Sequence, residues 1–174
     1  MVSCNDITSH HLDRESTEKL VHAFVSSKLD SMNSILFGLP KLQLEKLKRI
    51  QNSAARLVTL SKKSVHITPT IQELHWLPVE KRIQYKLLLL TFKALTGQAP
   101  PYIRDLIYIE EQTRTLRSNK SIILNHRPVN TISYGERCFS HAAPKLWNQL
   151  PTHLKNSKSL GQFKNLLKTH LFHN

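Results

Sequence analysis

Cys138 and His141 stand three residues apart in the stretch ERCFSHAAP, the residue types of a thiol nucleophile and its base. An activated thiol needs a base that is itself oriented, and this spacing alone assembles no such group. His170 and His173 could touch a metal ion, but two ligands are half of a zinc set. Cys4 and Cys138 are far apart and form no CxxC pair, so a zinc ribbon lacks its ligands. They read as two reduced, intracellular thiols. Two-metal phosphoryl transfer needs clustered carboxylates. Asp6, Asp13, Asp30 and Asp105 are isolated, and the neighbours Glu110 and Glu111 sit in a polar loop. The glycine-rich phosphate loops and the G-x-S-x-G elbow are absent from the sequence. The expectation is a non-enzyme: no catalytic residue, no metal ligand set and no cofactor.

What remains is charge. The chain holds 25 Lys and Arg against 12 acids, a net charge of +13. Such an imbalance points to a polyanion. It is also uneven. After Glu111 the one acid is Glu136, against ten basic residues from Arg114 to Lys168, a balance of 10 − 1 = +9. Arg114, Arg117, Lys120 and Arg127 lie among Ser, Asn and Thr, a mixture suited to phosphate contacts. Lys155, Lys158, Lys164 and Lys168 extend the set. Nearby rings are few, Tyr134 and Phe139, so backbone binding is better supported than base stacking. The expected partner is the RNA or DNA backbone.

These residues must be carried by helices. Gly is scarce, and apolar residues recur at helical spacing from Asp13 to Phe37, with Asp13 or Ser16 as cap and Gly38 and Pro40 as the stop. KLQLEKLKRIQNSAARLVTL reads as an amphipathic helix with a basic outer side. Thr68 and Pro69 open a short helix that stops before Pro78. VEKRIQYKLLLLTFKALT follows and closes at Gly97. Its four consecutive leucines fall far short of the roughly 20 apolar residues of a membrane span. The stretch is expected to be a buried central helix, with Leu87, Leu88 and Leu90 in the core and His75 and Trp76 packing at the corner before it. APPYIRDLI makes a short helix. SIILNHRP could form a short strand paired with TISY. Apolar content around Phe139, Ala142, Leu146 and Trp147 is interrupted by Pro144, and Ser159 caps a final helix. The N-terminus lacks the apolar stretch of a signal peptide.

Taken in order, LVHAFVSSKLDSMNSILFGLP, LKRIQNSAARLV, HITPTIQELHWLPVEKRIQYKLLLLTFKALTGQAPPYIRDLI, TRTLRS, YGERCFSHAAPKLWNQLP and SLGQFKNLLKTHLF resemble a known family. It is the C-terminal part of reverse transcriptases of non-LTR (LINE-type, jockey-like) retrotransposons. The resemblance spans about Leu12 to Phe172. It implies a thumb-like region that follows the palm, and a parent polymerase with endonuclease, fingers and palm. No position here matches the palm's Tyr-x-Asp-Asp motif, so no catalytic residue carries over, and the chain is expected to be a truncated, non-catalytic fragment. Where the family usually reads Leu-Asp-Tyr-Cys-Asn-Ser, this chain has Leu29, Asp30, Ser31, Met32, Asn33 and Ser34.

The expected fold is therefore mainly α: a helical thumb-like bundle, a small irregular or β segment, and a C-terminal helix. The expected division is a tail at 1–12, a helical domain at 13–107 and a basic extension at 108–174. Two readings of function stand. One is binding of template and primer without sequence preference. The other is a helical interaction module, or a remnant without function. Cut from palm and fingers, the first helix would keep an uncovered patch around Val21, Phe24 and Val25 and would favour self-association.

Overall fold

The computed structural model describes residues 13–110, 122–126, 128–129, 131 and 135–173. They are mainly helical. Chain packing divides them into two compact units: Met1–Met32 with Pro40–Val79, and Asn33–Leu39 with Glu80–Asn174. The division expected from the sequence falls after residue 107; the line drawn by packing falls at 79/80.

The first unit starts with α1 (Arg14–Val21), which runs through a π-helical turn (His22–Ser26) into α2 (Ser27–Asp30). Asp13 occupies the N-cap position, and Ser27 back-bonds to the Ala23 carbonyl inside the wide turn. The helix does not reach Phe37 as its periodicity predicts. Met32 turns left-handed at φ 55°, and a 3₁₀ turn (Asn33–Leu36) follows. Apolar residues occupy too wide an arc of α1 for one neighbour to cover. Val21 is buried and Val25 half-buried, while Leu20 and Phe24 remain exposed.

α3 (Lys41–Thr59) packs against α1 and against α4 (Ile67–Glu73). Its inner face, Gln51, Ala54, Ala55 and Val58, meets Val21, Ile71 and Trp76 to form a core. Small alanines let the helices approach closely. The Gln51 amide holds the Trp-Leu-Pro corner: Nε2 donates to the Leu77 carbonyl at 2.7 Å, and Oε1 accepts from the Val79 amide at 3.1 Å. A buried glutamine thus pairs with two backbone groups on either side of Pro78.

The second unit is organised on α5 (Val79–Leu95). Leu87, Leu88 and Phe92 are buried, as the leucine run predicts. Leu90 is only half-buried, a correction: the helix is covered over most of its girth but not all. Gly97, left-handed at φ 72°, ends it, and the Gln98 amide reaches back to the Lys93 carbonyl at 2.8 Å. α6 (Pro101–Arg104) starts with proline at its first position, where no amide is needed. Then come a 3₁₀ turn (Gly135–Arg137), α7 (Phe139–Gln149), α8 (Thr152–Lys155) and α9 (Leu160–His173). α7 runs through Pro144 where the sequence suggests a break. The proline is buried with Ala142, Ala143 and Trp147, and that packing offsets its missing hydrogen bond.

Among the described residues, the β structure is one antiparallel bridge between Ile109 and Leu124. The Glu110 amide donates to the Ile123 carbonyl at 3.0 Å and the Asn125 amide to the Tyr108 carbonyl at 2.8 Å. So residues 123–125 pair with 108–110. Ile132–Tyr134, the partner expected from the sequence, lie outside the described residues. None of the described helices is long and apolar enough to cross a membrane.

Candidate nucleic-acid interface

The C-terminal lysines sit on a scaffold fixed by large side chains. Phe163 stacks on Phe92 with ring centroids 4.3 Å apart and meets Trp147 at 6.0 Å. Phe163, Leu167 and Leu171 form the buried face of α9, and Leu154 on α8 is buried as well. Ser159 caps α9 as its sequence position predicts: Oγ accepts the Gln162 amide at 3.2 Å, and Gln162 Oε1 accepts the Lys158 amide at 3.0 Å.

With that face buried, Lys164 and Lys168 fall one turn apart on the outer face, and both are exposed. Lys158, just before the helix, is exposed too. Among the described residues no carboxylate makes an ion pair with any of the three. Lys155 differs. Its Nζ donates to the Asn148 carbonyl at 3.1 Å, at the end of α7. Burial pushes this ammonium below the usual lysine range. It is a tether between α7 and α8 before it is a contact for phosphate.

His170 lies in a positive environment that its sequence position does not show. Its imidazole is held below the usual histidine range, by burial first and then by the positive charges of His153 and Lys81. Lys81 comes from α5 and His153 from α8, so two elements bring positive potential to an imidazole on α9. Sequence reasoning missed Lys81 and His153. Lys81 is far from the acid-poor stretch along the chain, and only the fold brings it to α9.

Arg114, Arg117, Lys120 and Arg127 lie outside the described residues. The described chain on either side of them is anchored. Trp147 Nε1 donates to the Ile122 carbonyl at 3.0 Å. The Asn148 side chain grips both polar groups of Leu124: Oδ1 accepts its amide at 3.0 Å and Nδ2 donates to its carbonyl at 2.8 Å. With Ile109 paired on the other side, Leu124 is held on both flanks and fully buried.

The Cys138 thiol is exposed and points to the Gly135 carbonyl at 2.8 Å, with Ser140 Oγ at 3.3 Å. His141 is buried against the ring of His126, centroids 4.2 Å apart. Among the described residues no group of three or more His, Cys, Asp or Glu is placed to hold a metal ion. His75 is exposed in a left-handed conformation at φ 52°. There it ends α4, with the Trp76 amide bonded back to the Ile71 carbonyl at 3.0 Å. Its place in the fold is that of a helix stop beside a buried Trp76.

No protein-family model, curated protein or solved structure matches the chain.

Proposed function

We propose that this chain is the post-palm part of a non-LTR retrotransposon reverse transcriptase, and that it holds RNA or DNA by the phosphate backbone without sequence preference. The observation that carries the reading is the exposed, carboxylate-free lysine face of Lys158, Lys164 and Lys168 on a rigidly packed helix. The ordered motifs from Leu20 to Phe172 support the family assignment, and the balance of +9 after Glu111, from 10 − 1, supports the polyanion. In this reading Arg114, Arg117, Lys120 and Arg127 add further phosphate contacts, and Lys155 holds the scaffold. The chain performs no synthesis by itself, because no residue matches the palm's metal-binding motif. Palm and fingers would come from the parent polymerase.

Phosphate contacts release counterions, so affinity falls steeply with salt, by about 0.7 to 0.9 in log–log slope for each contact. A fluorescence-anisotropy salt titration of the wild type and of the Lys158→Ala, Lys164→Ala, Lys168→Ala variant tests the reading. The variant is expected to bind all sequences more weakly and to lose roughly two to three units of slope. An equal loss is expected for Arg114, Arg117 and Arg127 changed together. Identical slopes for wild type and both variants would remove this surface from binding and favour the interaction-module or remnant reading.

A further inference from the structure

The second unit holds a cavity of about 470 Å³ that none of the C-terminal lysines lines. That volume falls in the range of sites for small organic molecules. At about 30 Å³ for a group the size of water, it has room for roughly 15 non-hydrogen atoms. Three stretches of chain close around it. Ile35 and Leu39 come from the 3₁₀ turn and the residues just after it, Leu87 from α5, and Phe139 from the start of α7. Leu87 is fully buried, Leu39 and Phe139 are half-buried, and Ile35 is exposed, so an apolar interior opens to solvent on one side. Ser34, Arg137 and Cys138 supply the polar groups of the lining.

Arg137 decides what fits. A methyl group at Gly38, which is left-handed at φ 73°, would stand 2.7 Å from Arg137 Cγ. The arginine stem therefore lies on bare backbone, and its reach into the cavity is set by that contact. Arg137 is half-buried, and among the described residues no carboxylate pairs with it. A cation taken partly out of water without a counter-charge is costly, and an anion beside it offsets that cost. An inorganic anion would meet Arg137 but leave the apolar lining wet. A neutral apolar molecule would fill the lining but leave Arg137 unpaired. We infer that the cavity is a binding site for a small amphipathic carboxylate, its apolar body against Ile35, Leu39, Leu87 and Phe139 and its carboxylate on Arg137 and the Ser34 hydroxyl. This site is separate from the C-terminal lysines and does not depend on their role.

The Cys138 thiol, exposed and part of the same lining, serves as the reporter. The full chain is alkylated with iodoacetamide, and the rate at Cys138 is read by mass spectrometry of the peptide that carries it. Decanoate, below its micellar concentration, is the probe. It is expected to slow alkylation by about tenfold when present at ten times its dissociation constant, and to raise the melting temperature. Decanol, with the same chain and no charge, should bind at least about tenfold more weakly, since a hydrogen bond to a charged group is lost. Arg137→Gln should abolish that preference, so that decanoate and decanol protect alike. Ile35 is 65% exposed, so Ile35→Asp should keep the wild-type circular dichroism while its carboxylate repels the probe. No protection of the wild type by decanoate overturns the inference. Equal protection by decanoate and decanol overturns it too, by removing the role of Arg137. Protection that persists unchanged in both variants would place the probe elsewhere and overturn it as well. A melting temperature lowered by decanoate would do the same, by making the effect that of a detergent. No nucleic acid enters the assay, so its outcome is independent of the phosphate-binding reading.

Discussion

The two units of this chain reach stability by different means. The second is built from large side chains, with Leu87, Leu124, Trp147, Leu154, Phe163 and Leu167 fully buried. The first gathers Val21, Ala54, Ala55, Val58 and Ile71 around a single Trp76. In the second unit α5 stops on Gly97; in the first, α3 stops on Leu60 and α4 on His75, both left-handed at φ 52°. The first unit also holds buried nitrogens, Arg56 Nε and Trp76 Nε1, with no hydrogen-bond acceptor among the described residues. Local costs of this kind are tolerated where other contacts over-determine the backbone. The contrast teaches where each unit spends its sequence. The second invests in a packed core that sets an outer lysine face, while the first keeps apolar side chains outward on α1 and α3.

The largest test of the contrast is a truncation in each unit. Phe163→Ala should cost about 3–5 kcal/mol and Leu87→Ala about 2–5 kcal/mol, both read by denaturant titration of tryptophan fluorescence. Phe24→Ala, at a side chain 70% exposed, should stay within about 0.5 kcal/mol. Similar losses at Phe163 and Phe24 would erase the distinction between a filled core and an uncovered face.

Gln51→Ala probes whether the first unit has a polar clasp in place of bulk. It would leave the Val79 amide without its Gln51 acceptor, at about 1–3 kcal/mol, and take one hydrogen bond from the Leu77 carbonyl. A change within error would mean that the Trp-Leu-Pro corner holds without it.

The helix stops offer a test of opposite sign. His75→Gly and Leu60→Gly should each stabilise by about 1 kcal/mol, by relieving a left-handed side chain. Gly97→Ala should destabilise by a similar amount through its φ of 72°, since an added methyl meets only open space there. Thermal melts of the three variants give the signs directly.

The smallest effect is a pH dependence in the second unit. The His170 pKa lies below its ordinary value of 6.5 in the folded state, so the unfolded chain binds the proton more readily. Its contribution is fully present above 6.5 and is lost as pH falls through the folded value. Plotted against pH, the stabilities of the wild type and His170→Gln should run parallel above 6.5 and differ in slope below it, the wild type losing stability as pH falls. Identical slopes would mean that neither burial nor the charges of His153 and Lys81 act on His170 in the fold.

Much of this architecture was legible from neighbours within a turn. Pro78 and Gly97 bound α5, Pro100 and Pro101 open α6, and Ser159 caps α9, because caps and stops depend on residues close in the chain. Leu87 and Leu88 are core for the same local reason: an apolar run with Ile83 and Phe92 leaves a helix little choice of inner face. The charge asymmetry after Glu111 was equally plain, since counting needs no fold.

What only the tertiary structure decided concerns which apolar and charged groups find company. Phe24 and Val21 share a helix and a hydropathy class, yet α3 covers Val21 alone. Leu90 follows two buried leucines and is left half-covered. Lys155 looks like its neighbours in sequence but is tied to the end of α7 by the Asn148 carbonyl. Ile109 pairs with Leu124, and Lys81 adds its charge to that of His170, across long stretches of chain. The physical reason is common to all five. Local sequence sets the angle at which a side chain leaves its helix, but burial and potential are sums over atoms that only the folded chain brings near.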